Sequence, residues 1–352
     1  MKSEEKTEKS QTGTAAEWLE LEKKLHSVAR EQKPVRLKIF TEIFKVVVRL
    51  AQESPGTLNL KIVATVLKEL RFSFRMFYPY RTLPKITMFG SARVPSGTPL
   101  YELAKKFATD SVERKYMVIT GGGPGIMAAG NEGATLLGGF GLNIRLPFEQ
   151  SANTFIDSNK MLINYKYFFT RKLFLVKEAS AFAFFPGGVG TFDEAFEVLT
   201  LLQTGKMNPI PVVLVEPPGF GFWTEVLRFM NDVMLKKGFI SKEDAYLYKI
   251  FHTSEEALNH IDFFYRNYHS LRYVKNNLVI RLKFPVSEAM LRNMNQHFPG
   301  LTQHGKITVT AALPEEANEP ELMHLPRICF PFDRRDFGSL RRLIDFLNEQ
   351  AV

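Results

Sequence analysis

The chain has 352 residues, 45% hydrophobic and 24% charged, ordinary for a globular protein with a sizeable core. Its single cysteine, Cys329, excludes an intrachain disulfide, and the seven scattered histidines show no paired metal spacing. No apolar run approaches the ~18–20 residues of a membrane span and the polar N-terminus has no signal-peptide core, so the expectation is a cytoplasmic chain with no membrane partner.

The net charge of +9 is unevenly spread. Residues 1–85 carry 17 Lys and Arg against 10 Asp and Glu, residues 86–265 carry 17 against 18, and residues 266–352 carry 12 against 9. The excess therefore sits outside the central region. A basic flank suits nucleic acid or anionic surfaces, but acids are interleaved and no basic run is long, so nucleic acid is not the expected partner.

Residues 1–14 are polar and read as a disordered tail. Residues 15–31 have helical spacing, with Trp18, Leu21, Leu25 and Val28 on one face. Pro34 breaks that element, and residues 35–52 repeat the pattern with Ile39, Ile43, Val46, Val47 and Leu50. Ser54-Pro55-Gly56 is a turn, and 58–77 is helical again. Residues 15–80 thus read as a helical extension packed on a main domain.

From Lys85 strands and helices alternate. Strand 86–89 ends at Gly90-Ser91-Ala92-Arg93, and a helix covers about 98–114. Strand 117–120 runs into Gly121-Gly122-Gly123-Pro124-Gly125 and a helix to about 137. A strand at 140–146 ends in Leu146-Pro147-Phe148-Glu149-Gln150, and after a loop a helix covers 165–179. Strand 181–185 meets a second glycine turn, then come helix 192–204, strand 211–215 and helix 222–237. This alternation predicts an α/β, Rossmann-like, doubly wound parallel sheet over 81–265, with ligands beyond the strand C-termini. Residues 270–352 read as a small α+β module, with strands at 278–282, 306–310 and 327–330 and helices at 287–297 and 336–349.

Two glycine-rich strand-to-helix turns suggest a phosphate site, because helix N-termini offer N–H groups and glycine lets the backbone approach. The first turn is neither the dinucleotide fingerprint, since Ile126 and Ala128 stand where a third glycine would, nor a P-loop. The second, Pro186-Gly187-Gly188-Val189-Gly190-Thr191-Phe192-Asp193-Glu194, is more specific. Thr191 and Glu194 also spell a capping box, so Glu194 has two readings: a helix cap, or a carboxylate beside a phosphate site. Arg171-Lys172 and Arg93 are cations placed for phosphate or ribose, or for solvent.

Taken together these residues resemble the LOG (lonely guy) family, long labelled "possible lysine decarboxylase". Pro186 through Glu194 match its P-G-G-x-G-T-x-x-E motif, and Arg171 and Lys172 match its arginine–lysine pair. Gly121 through Met127 approximate its glycine element, one residue shorter, and Gly90-Ser91 match its first strand end. The resemblance covers about 85–262. The extra N- and C-terminal segments are similar to a longer bacterial branch carrying Phe-Gly-Ser-Ala-Arg and Leu-Pro-Phe-Glu-Gln.

The resemblance implies a Rossmann-like homodimer that hydrolyses the N-glycosidic bond of a purine or cytokinin nucleoside 5′-monophosphate. The products are free base and ribose 5-phosphate. It implies Glu194 and Arg171 as catalytic. It also implies the 5′-phosphate against Gly121, Gly122, Gly123, Gly125 and Met127 and against Gly187, Gly188, Gly190 and Thr191. Gly90, Ser91, Arg93 and Lys172 would assist, and Asn143 and Glu149, which end the third strand on the same edge, are candidate ribose or base contacts. No cofactor or metal is required. No lysine stands out for a pyridoxal Schiff base, so the decarboxylase label has no support in these residues. The competing readings are a non-catalytic carrier of a phosphate-bearing ligand such as molybdenum cofactor, and a nucleotide sensor or nucleic-acid-binding protein using the basic N-terminal extension.

Overall fold

The computed structural model describes residues 4–145, 152–157, 160–302 and 304–350. Two compact units result, Met1–Thr65 and Val66–Val352. In the first, α1 spans Glu4–Arg30 and α2 spans Pro34–Glu53. Helix α1 thus includes most of the stretch read as a disordered tail: once a helix is nucleated by the periodic segment, extending it costs little. Lys33, extended at φ −60° and ψ 147°, precedes Pro34, and Ser54 ends α2 in the left-handed region at φ 46°. No residue of α2 is buried. Helix α3, Thr57–Phe77, crosses from the first unit into the second.

The second unit is built on a sheet of seven parallel strands: β1 (Lys85–Phe89), β2 (Met117–Thr120), β3 (Gly139–Ile144), β4 (Leu162–Tyr165), β5 (Ala181–Phe184), β6 (Val212–Val215) and β7 (Lys249–Phe251). Their order is β4-β3-β2-β1-β5-β6-β7. The expected α/β class is therefore observed, with β4 and β7 added. The helix expected over 165–179 is α6 (Phe168–Lys177), and β4 precedes it and takes its first residue, because Ile163 and Tyr165 alternate inward before the helix begins. The strand expected to 146 ends at Ile144; residues 146–150 lie outside the described residues.

Strands β1, β2, β5 and β6 are buried along their whole length, as a parallel sheet covered on both faces requires. Alternate side chains divide between two cores. Ile86, Met88, Val118, Ala183 and Val213 pack with α4 (Pro99–Glu113), α5 (Ile126–Gly138) and α9 (Ser254–Phe264). Phe89, Ile119, Phe182, Phe184 and Leu214 pack with α6, α7 (Val189–Gln203), Trp223 of α8 (Phe222–Phe229) and Phe77 of α3. Each such aromatic removed from water contributes about 1.5–3 kcal/mol. The segment read as one helix over 222–237 is α8 followed by a π turn, Met230–Leu235.

The C-terminal module begins at β8 (Tyr268–Val274), which pairs antiparallel with β9 (Asn277–Leu282). After α10 (Glu288–His297), β10 (Thr308–Thr310) and β11 (Arg327–Pro331) complete a four-stranded sheet ordered β10-β11-β9-β8. Helix α11 (Phe337–Glu349) packs on the 243–247 turn, where a Cβ on Gly338 would overlap the Glu243 carbonyl. The module is thus part of the same compact unit as the parallel sheet.

Candidate active site

The strand order reverses at β1, which pairs with β2 on one side and β5 on the other. The loops leaving these strands must diverge there, and such a switch point opens a crevice at the strand C-termini. A cleft of about 590 Å³ lies there. The three loops around it are joined by backbone hydrogen bonds. Ser91 N–H donates to the Pro186 carbonyl at 3.1 Å, and Ile126 N–H donates to the Ser91 carbonyl at 3.0 Å. Gly125, at φ +67°, lies so close to Ser91 and Ala92 that any Cβ would overlap their backbone.

Of the residues expected at the site, Gly90, Ser91 and Arg93 line the cleft from the first loop, and Gly121, Gly123 and Met127 from the second. Gly188, Gly190, Thr191 and Glu194 line it from the third, and Asn143 and Arg171 close it. Gly122, Gly125 and Gly187 support the turns from behind, among residues that do not line the cleft. Glu149 lies outside the described residues.

Arg171 and Glu194 form the centre. The Arg171 side chain is 8% exposed, and its Nε donates to the Leu142 carbonyl at 2.7 Å. The guanidinium lies against Gly121, where a Cβ would overlap Nη2; the absent side chain at 121 makes its room. Arg171 Nη1 is 3.6 Å from Glu194 Oε1. Burial raises the Glu194 carboxyl above its ordinary value, and Arg171 and Lys172 oppose that shift. Burial likewise pulls the Arg171 guanidinium down, against the attraction of Glu194.

The capping-box reading of Glu194 is corrected. Helix α7 starts at Val189 with Gly188 as its N-cap and no side-chain cap bond, so Glu194 stands in the second turn. Glycine took the cap position, which leaves the carboxylate free to face the cleft. Lys172 is corrected as a cleft residue. Its Nζ sits 2.7 Å from Asp193 and 3.1 Å from Glu197, tying α6 to the outer face of α7. On a helix, neighbouring residues point about 100° apart, so Arg171 and Lys172 serve different surfaces.

The residues missed in the sequence are mostly apolar. Phe89, Pro124, Ile144 and Phe168 line the cleft with Met127, giving one wall suited to a planar ring. Phe168 is half exposed. Behind α6, Glu69 of α3 receives the Lys166 N–H at 2.6 Å and the Thr170 hydroxyl, while Ser73 bonds the Tyr165 hydroxyl at 2.6 Å. The end of α3 thereby fixes the start of the helix that carries Arg171. Among the described residues, no group of three His, Cys, Asp or Glu is placed to hold a metal, and no helix is long and apolar enough to cross a membrane.

Residues 125–261 match the family model described as possible lysine decarboxylase. Over 163 residues the chain is 29% identical to the cytokinin riboside 5′-monophosphate phosphoribohydrolase LOG2 of Arabidopsis thaliana, covering 45% of this chain and 72% of that protein. Over 154 residues it is 27% identical to the cytokinin riboside 5′-monophosphate phosphoribohydrolase of Mycobacterium tuberculosis, covering 43% and 79%. Among solved structures, the molybdenum cofactor carrier protein of Chlamydomonas reinhardtii aligns over 51% of this chain and 96% of its own, with 19% identity and a TM-score of 0.36.

Proposed function

We propose that this chain is a member of the LOG family and hydrolyses the N-glycosidic bond of a purine or cytokinin nucleoside 5′-monophosphate to free base and ribose 5-phosphate. The observation that carries the reading is the buried Arg171–Glu194 pair, 3.6 Å apart, inside a cleft rimmed by two glycine turns. Cleavage of this bond develops positive charge on the ribose, as in other glycoside hydrolyses. The Glu194 carboxylate stabilises that charge and activates the attacking water. Arg171, anchored on Leu142, orients Glu194 and the ribose. The 5′-phosphate lies against the backbone N–H groups of the turns, with the Thr191 hydroxyl as a further donor. The base occupies the wall of Phe168, Ile144 and Met127.

The same reading includes a cytoplasmic homodimer, which light scattering of the purified chain checks. The decisive test is base release from a panel of nucleoside 5′-monophosphates, including AMP and isopentenyladenosine monophosphate, by wild type and Glu194→Gln. Cleavage by wild type alone supports the hydrolase. Tight binding of one nucleotide without any cleavage would replace it with a carrier or sensor.

A further inference from the structure

The first glycine turn is held from below by a polar chain that begins in a distant loop. Asn153 follows β3 in sequence, yet its backbone N–H donates to the Gly122 carbonyl at 2.8 Å. Its Nδ2 donates to the Gly122 carbonyl at 3.1 Å, to the Gly123 carbonyl at 2.9 Å and to Asn131 Oδ1 at 2.9 Å. Asn131 Oδ1 also receives the Thr120 hydroxyl at 2.8 Å, and Thr120 Oγ1 in turn receives the Gly122 N–H at 3.0 Å.

Proton bookkeeping gives this chain one direction. The Gly122 and Gly123 carbonyls can only accept, so Asn153 must present its NH2 group to them. The Phe155 N–H, donating to Asn153 Oδ1 at 3.2 Å, agrees. Asn131 must then present oxygen to Asn153. Thr120 Oγ1 already accepts from Gly122, so its proton goes to the same oxygen. Asn131 Nδ2 is left as a buried donor with no partner among the described residues.

The consequence lies across the Gly122–Gly123 peptide. In a trans peptide the N–H points opposite to the C=O. No peptide bond described here is cis. Two donors from Asn153 hold the Gly122 carbonyl, so the Gly123 N–H points away from Asn153. Gly123 lines the cleft, and its N–H has no hydrogen bond among the described residues. We propose that Asn153, through Asn131 and Thr120, is a positioning residue that aims the Gly123 N–H at the substrate 5′-phosphate. The inference rests on the phosphoribohydrolase reading of the cleft.

The test is calorimetric binding of ribose 5-phosphate to the full chain, with base-release kinetics and thermal unfolding in parallel. Asn153→Ala keeps the backbone donor and loses the side-chain ones, so its affinity for ribose 5-phosphate should fall about tenfold. The loss should appear in KM more than in kcat. Asn153→Asp turns acceptors toward two carbonyls and the Asn131 oxygen and should lose about 100-fold or more. Thr120→Ser should bind like wild type and Thr120→Val should not, which covers a failure of the Asn153 variants to fold. Unchanged affinity in Asn153→Ala, wild-type affinity in Thr120→Val, or no binding of ribose 5-phosphate by wild type would overturn the proposal. If wild type binds it with this pattern yet releases no base from any nucleotide, the hydrolase reading fails and the positioning role stands.

Discussion

Replacing Glu194 by Gln removes one charge from the cleft and little else. The side chain is 14% exposed, and its nearest cation is Arg171 at 3.6 Å. A full charge about 4 Å from a carboxylate interacts with roughly 4 kcal/mol at an effective dielectric of about 20. With about half a unit charge developed on the ribose, about 2 kcal/mol of transition-state stabilisation disappears, or roughly 30-fold in rate. Loss of a general base costs a further ~100-fold or more where water activation limits the rate. The expected fall in kcat is therefore about 30-fold from the charge alone and about 3,000-fold where water activation limits the rate. Folding should be retained, because glutamine keeps the shape and Leu142 still anchors Arg171. Base release followed by chromatography, with the unfolding temperature as control, checks both. A folded Glu194→Gln protein turning over within about threefold of wild type would refute the assignment of the carboxylate.

Activity requires the ionised carboxylate, and burial raises the Glu194 carboxyl. The acid limb of kcat/KM should therefore lie above that of an ordinary glutamate, with activity lost as pH falls through the raised value. Arg171→Lys removes the Nη1 and Nε fork and should cost about 100-fold in kcat/KM; Arg171→Ala should in addition move the acid limb higher, since the cation that opposes the shift is gone. Stability has the opposite sign: Glu194 holds its proton more tightly folded than unfolded, so its contribution favours folding at low pH and is lost as pH rises through that window. Gly121→Ala pushes a methyl into Arg171 Nη2 and Met127 and should lower both activity and unfolding temperature, with about 1–3 kcal/mol lost. Gly188→Ala meets nothing within 4 Å, so its unfolding temperature should hold while phosphate binding weakens. Phe168→Ala should raise KM by ~10-fold or more with kcat little changed, at the ~1–3 kcal/mol typical of base stacking; an unchanged KM would remove Phe168 from the base wall.

The parts of the site legible in the sequence are those where chemistry forces an unusual residue. Three loops needing close backbone approach use glycine, a carboxylate follows the last of them on α7, and the arginine that faces it stands on the preceding helix α6. The wall of Phe89, Ile144 and Phe168 was not legible, because an apolar residue at a strand end or helix start looks the same whether it faces core or cleft. Glu69 and Ser73 were missed for another reason: their partners Lys166, Thr170 and Tyr165 lie 92 to 101 residues away, and no local period encodes that pairing. Strand β4 offered only four residues of alternation. Lys172 was misread because adjacency in sequence is divergence on a helix.

The chain contains a second buried arginine–glutamate pair, and the contrast gives the Arg171–Glu194 geometry its meaning. In the C-terminal module, Arg281 Nη2 and Nε donate to Glu316 Oε1 at 2.6 and 2.9 Å, while Glu316 Oε2 accepts the Leu313 N–H at 3.0 Å. Both carboxylate oxygens are committed, with side chains 3% and 1% exposed. Arg171 and Glu194 stand 3.6 Å apart, beyond hydrogen-bond range, so their charges orient one another while the carboxylate oxygens stay open to ribose and water. Two substitutions of identical chemistry should therefore fail in opposite ways. Glu316→Gln takes the charge out of the two hydrogen bonds from Arg281, whose Nη2 still holds Glu319 at 2.7 Å, and should cost about 1–3 kcal/mol of stability, with kcat of the remaining folded protein unchanged. Glu194→Gln should spare stability and remove turnover. Parallel denaturation and base-release measurements on the two variants decide it. A Glu316→Gln protein as stable as wild type would show that committed geometry does not mark the structural pair, and the inference from open geometry at Glu194 would lose its support.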